Sequence, residues 1–113
     1  MAEHIKIEAA PGTWVIRAGG AVIGETTNAL SLTEGDYPAA IYFPRDAIAM
    51  AFLDDSDTKS VCPYKGEANY FSIQTKSVVI EDAAWSYENP ADAVAAIKDH
   101  LAFYPSKVTV EQL

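Results

Sequence analysis

Short alternating runs, each closed by glycine or proline, fill the first two thirds of the chain and point to an antiparallel β fold. "HIKIEA" puts Ile5 and Ile7 on one face, the period of a half-buried strand. Pro11-Gly12 ends it, and Thr13–Ala18 resumes with Trp14 and Ile16 opposite Val15 and Arg17. Gly19-Gly20 then leads into "AVIGET", since paired glycines accept the positive φ of a tight hairpin. Leu30 and Leu32 alternate before the loop Glu34-Gly35-Asp36, and "AAIYFP" stops at Pro44, which has no N–H for a ladder. "ANYFSIQT" and "SVVIEDAAWSY" predict two strands around a turn at Thr75–Ser77, and "KVTVEQL" an edge strand or loose tail.

The period changes twice. Asp46 is placed to cap a short helix over "AIAMAFL", near 46–53, although so uniform an apolar run also suits a buried strand. Asn89-Pro90 opens the stronger helical pattern, with Asn89 as N-cap and Pro90 in the first turn. Ala93, Val94, Ile97, Leu101 and Tyr104 make one apolar stripe, so a C-terminal helix is predicted near 90–104, ended by Pro105. "DDSDTKS" reads as a polar loop. The expectation is one mainly β domain over 1–113, α+β by element count.

Charge and cysteine content narrow the function. Eight Lys and Arg stand among sixteen Asp and Glu, a formal charge of −8. Phosphate backbones need clustered cations, so no nucleic-acid partner is expected. No apolar run approaches the ~20 residues of a membrane span. "MAEHIKIEAAPG" has neither a basic start nor an apolar signal core. The single cysteine permits no internal disulfide, which fits a reducing cytoplasm. It also rules out multi-cysteine zinc sites, so neither metal nor cofactor is expected. Exposed strand edges leave a homodimer as a possible partner.

Chemistry concentrates in "DTKSVCPYKGEANYFS". Cys62 is followed by Pro63 and, three residues on, by Lys65. A nearby cation stabilises a thiolate, which makes Cys62 with Lys65 a candidate catalytic pair. A cysteine nucleophile usually has a base in reach, and only His4 and His100 are available. The alternative is burial, common for a free cysteine. Lys65 and Arg45 suit a carboxylate or phosphate; the plain alternatives are a solvated lysine and an ion pair of Arg45 with Asp46, Glu67 or Glu81. On each strand alternation divides the aromatics: Tyr70 opposes Phe71, while Trp85 and Tyr87 share a face. Some tyrosines therefore leave the core for a cleft wall or the surface.

"IYFPRDAI", "CPYKGEANYFS", "AAWSY" with a following Asn-Pro, and "HLAFY", in this order and spacing, resemble the domain-of-unknown-function 427 family over nearly the whole chain. The resemblance implies a compact, strongly curved, mainly antiparallel β domain, as curved sheets or a small open barrel, with a helix near the C-terminus. It carries no settled activity, and the family is at times labelled nucleotidyltransferase-like. That chemistry needs paired carboxylates on Mg²⁺ and a cradle for the triphosphate. Asp54, Asp55 and Asp57 offer carboxylates, yet they fall in the polar segment with no Gly-Ser cradle before it.

The expected function is binding of a small anionic or aromatic ligand, or an unassigned enzyme activity. The expected cleft joins the YFPR, CPYKG and AWSY segments through Tyr42, Arg45, Cys62, Lys65, Tyr70 and Trp85. On this reading Arg45→Ala and Lys65→Ala spare stability and abolish binding. The alternative is a structural or protein-interaction module in which the same motifs only maintain the fold.

Overall fold

A computed structural model describes residues 4–113. Ten strands follow one another: β1 Ile5–Ala9, β2 Trp14–Ala18, β3 Ala21–Thr26, β4 Leu30–Glu34, β5 Ala40–Phe43, β6 Leu53–Cys62, β7 Gly66–Gln74, β8 Val79–Ser86, β9 Leu101–Phe103 and β10 Thr109–Gln112. Seven form one sheet, in the order β1-β4-β5-β9-β8-β7-β6, and β10-β2-β3 form a second. All pairings are antiparallel. Neither sheet closes into a barrel. The β2–β3 hairpin turns on Gly19 and Gly20, with φ of +55° and +82°, the two positive values that its two-residue turn needs.

Alternation assigns the two faces of the large sheet. Phe43, Phe71, Leu101 and Phe103 point to one side, where the small sheet covers them with Ile16, Ala18 and Ile23. Their neighbours Tyr42, Tyr70 and Ala102 point to the other, among Leu32, Tyr87, Val94 and Ile97. The first face is the main core. The second carries the candidate site.

Three expectations are corrected. The helix near 46–53 is broken into two short 3-10 turns, Arg45–Ala47 and Met50–Phe52, around an extended Ile48. Ile48 bridges Gly24, and the Ala49 N–H bonds the Ile23 carbonyl at 2.8 Å, so β3 claims the backbone a helix would use. Asp46 makes no cap bond. The helix near 90–104 shrinks to a 3-10 stretch, Asp92–Ile97, entered at Ala91 with no side-chain cap and kinked at Val94. Asp99 then takes a left-handed φ of +62°, and residues 101–103 become a strand. Finally, "DDSDTKS" is no loop but part of the ten-residue edge strand β6. Among the described residues, no helix is long and apolar enough to cross a membrane.

Candidate functional site

One row of residues crosses the open face of the large sheet. Leu30 pairs with Tyr42, Tyr42 with Ala102, Ala102 with Trp85, and Trp85 with Tyr70. Directly opposed residues share a face, so three aromatic rings line up with one small side chain between two of them. Over the Ala102 gap the Trp85 Nε1–H donates to the Tyr42 hydroxyl at 3.1 Å, and the rings meet edge-on. Tyr104 follows β9 and packs against Trp85 with centroids 4.5 Å apart. Tyr87 follows β8. The rings enclose a cleft of about 260 Å³, lined among others by Tyr42, Lys65, Tyr70, Trp85, Tyr87 and Tyr104. Glu34 and Leu32 of β4 and the loop residues Tyr37 and Pro38 complete its rim.

Lys65 enters this cleft from the β6–β7 turn. Gly66 after it has φ of +107°, and a Cβ there would meet the Asn89 carbonyl oxygen at 3.3 Å. That glycine lets the segment after β8 lie close enough for the Ala91 N–H to bond the Lys65 carbonyl at 3.0 Å. The turn is thereby fixed and its lysine aimed inward. The side chain is 11% exposed, and Nζ lies 2.6 Å from Glu34 Oε1. Nζ also stands 6.0 Å from the centre of the Tyr87 ring.

Electrostatics follow from these contacts. Burial opposes the charge of Lys65, but the Glu34 hydrogen bond, the neighbouring Cys62 and the Glu34 charge outweigh it, so its pKa is raised. The Lys65 hydrogen bond holds the Glu34 carboxyl below its usual range against the burial cost, helped by His4. Lys65 is thus an ammonium, suited to hold an acceptor and unsuited to attack as an amine.

Burial pushes the phenols of Tyr42, Tyr87 and Tyr104 above the usual tyrosine value of 10.0, in Tyr104 with help from a Tyr70 hydrogen bond. A folded-state pKa above the unfolded one gives stability that is whole below pH ~10 and lost as pH climbs through the folded values. A near-ultraviolet titration of the folded protein is therefore expected to show fewer than six tyrosinates at about pH 11, out of the six tyrosines of the chain. Urea is expected to release the rest. Full ionisation at that pH with native circular dichroism would contradict the buried-phenol geometry.

Four of the six expected residues meet at the cleft: Tyr42, Lys65, Tyr70 and Trp85. Arg45 does not. Its guanidinium donates to the Asp99 carbonyl at 3.0 Å, to Ser86 Oγ at 2.9 Å and to Glu88 Oε2 at 3.1 Å, and it stacks 5.4 Å from the Phe71 ring centre. Its acidic partner is Glu88 rather than Asp46, Glu67 or Glu81. Cys62 ends β6, half-buried against the apolar cluster beneath the cleft and beside Lys65; it lies next to the cleft, outside its lining. His100 bonds the Lys98 carbonyl, and His4 sits beside Glu34 and edge-on to Tyr64. Neither ring faces Cys62 as a base in any contact of the described residues.

Glu34 is the residue that sequence reasoning missed, since it stood at the start of a loop signal. Its signal was positional: Leu30, Leu32 and Glu34 alternate on one face of β4. The reading of Asp54, Asp55 and Asp57 as paired metal-holding carboxylates finds no support in the geometry. The β6–β7 register breaks between Asp55 and Lys59, and Ser56 and Thr58 turn to the Asp82 carboxylate at 2.5 and 2.7 Å. Among the described residues, no three His, Cys, Asp or Glu side chains are grouped to hold a metal ion. No curated protein matches the chain. The family model described as domain of unknown function (DUF427) matches residues 6–112, nearly the full span over which these strands and cleft residues are laid out, and the chain belongs to that family.

Proposed function

We propose that this chain is a small-molecule-binding domain whose ligand lies in the cleft above the Tyr42–Ala102–Trp85–Tyr70 row. The observation that carries this reading is that a run of packed aromatic side chains, Tyr42 on Trp85 and Trp85 on Tyr104, leaves an open cleft beside it into which Lys65 also reaches. Aromatic walls with a few convergent polar groups are the usual make-up of a ligand pocket. Here the polar groups are the Lys65 ammonium and the phenols, on a rigid sheet that needs little reorganisation to receive a ligand.

Tryptophan emission tests the proposal directly. The chain has two tryptophans, and Trp14 lies on the small sheet with its N–H on the Pro11 carbonyl. A Trp14→Phe variant leaves Trp85 as the reporter. Titration with one-ring planar compounds is expected to change its emission saturably. Tyr70→Ala is expected to weaken that binding about tenfold, the equivalent of one lost aromatic wall. A flat response across the compounds, or a curve that Tyr70→Ala leaves in place, would sink the cleft and favour the structural-module alternative.

A further inference from the structure

We infer that the ligand is an aromatic carboxylate, and that it binds by replacing the Glu34 carboxylate on Lys65. This rests on the cleft being a ligand site and adds the chemistry of its occupant.

The one cation of the cleft is a donor, and the phenols around it can donate as well. One Lys65 N–H goes to Glu34 and Cys62 stands beside another, which leaves at least one on an ammonium for a ligand. The Tyr42 oxygen already accepts the Trp85 N–H, so what the phenol has left to give is its own O–H. Tyr87 and Tyr104 line the same space as protonated phenols. A ligand that brings acceptors can therefore use both the ammonium and the phenols.

A cation is disfavoured for a separate reason. Aromatic faces beside a carboxylate ordinarily attract ammonium ligands. In this cleft Lys65 fills that role itself, paired with Glu34 and set over the Tyr87 ring. A second positive charge would meet it in a partly desolvated space.

Glu34 marks where the anion goes. Its Oε1 lies 2.6 Å from Nζ, the length of a charge-assisted bond. Yet this carboxylate is the more exposed partner, at 28% against 11% for the lysine. It ends β4 just before Gly35, which has φ of +57° and open space around it. Its other oxygen is 3.4 Å from His4 Nε2 at the rim. The carboxylate thus has somewhere to move and a partner to keep, while Lys65 is fixed by its turn. Exchange at Lys65 swaps one carboxylate for another and leaves no buried charge unpaired.

Size and charge then limit the ligand. A cleft of about 260 Å³ falls just below the usual range of ligand pockets and suits one ring with a short substituent. A single ammonium, with Arg45 turned away to Glu88, matches one carboxylate and not a polyphosphate chain.

Three probes of one shape decide the matter: benzoate, benzamide and benzylamine, titrated into the full chain carrying Trp14→Phe. Benzoate is expected to bind about tenfold more tightly than benzamide, and benzylamine most weakly. Glu34→Gln, which removes the competing charge, is expected to tighten benzoate several-fold and leave benzamide nearly unchanged. Lys65→Met is expected to erase the preference for benzoate over benzamide. If Lys65→Met does not fold, Glu34→Gln alone carries the decision. Benzylamine binding at least as tightly as benzoate overturns the inference. So does a benzoate affinity that Glu34→Gln leaves unimproved, or a preference that survives Lys65→Met. In those cases the cleft remains a ligand site of other chemistry; no saturable binding by any of the three removes the cleft reading itself.

Discussion

Leu101→Ala is expected to lower the unfolding free energy by about 2–5 kcal/mol in urea denaturation, the range for leucine truncation in a packed core. Leu101 has no exposed surface, pairs beside Phe43 in the large sheet and shares its core cluster with the small sheet's Ile16, Ala18 and Ile23. More than a cavity is at stake. The strand β9 has only three residues, yet β5 pairs on one side of it and β8 on the other. Without it the large sheet would part into β1-β4-β5 and β8-β7-β6. The Tyr42–Trp85 spacing across Ala102 would be lost with it. The matched control is Val61→Ala on edge strand β6, where the residue is 75% exposed and a change within about 0.5 kcal/mol is expected. A Leu101 loss as small as the control's would mean that residues 101–103 do not hold the centre of the sheet.

That strand also shows where the sequence was legible and where it was not. Strands β2, β3, β5, β7 and β8 lie in runs whose ends are marked by Gly-Gly, Pro or polar residues and whose polar members leave a two-residue period, although β2, β3, β5 and β8 also bury adjacent residues. The division of Tyr42 from Phe43 and of Tyr70 from Phe71 could be read from that period alone. Strand β9 shows no period, because Leu101, Ala102 and Phe103 are all buried. Its residues also complete a helical stripe with Val94 and Ile97, which a 3-10 stretch buries equally well. Ladder bonding on both edges outweighed local propensity. Strand β6 failed for the opposite reason: from Asp54 to Val61 nearly every side chain is exposed, as befits a polar edge, so no face stood out. At the site, the aromatic wall was legible from alternation, whereas the Lys65–Glu34 pair spans 31 positions of sequence and has no local signature.

Arg45→Ala is expected to cost about 2–3 kcal/mol, from hydrogen bonds of a charged donor, one of them to a buried hydroxyl that cannot find water, and to lower Tm by about 10 °C in a domain of this size. The ion pair with Glu88 contributes little of this, since both side chains are about a third exposed and solvent screens them. The weight falls on two neutral acceptors. Ser86 is fully buried, and its hydroxyl would lose the guanidinium. The Asp99 carbonyl belongs to the left-handed residue that turns the chain into β9, so the arginine also holds the entry to the central strand. Arg45→Lys is expected to recover less than half of the loss, because one ammonium cannot reach Asp99, Ser86 and Glu88 in the plane the guanidinium spans. Benzoate affinity of the folded variant is expected to stay within about threefold of the parent, since the side chain lies outside the cleft lining and the Ser86 it holds points to the face opposite Trp85 and Tyr87. The sequence alone had suggested the reverse, a stable protein that no longer binds. Thermal melts and titrations on the same sample separate the two. An unchanged Tm with binding abolished would return Arg45 to the site and require its guanidinium to leave Ser86 for the ligand.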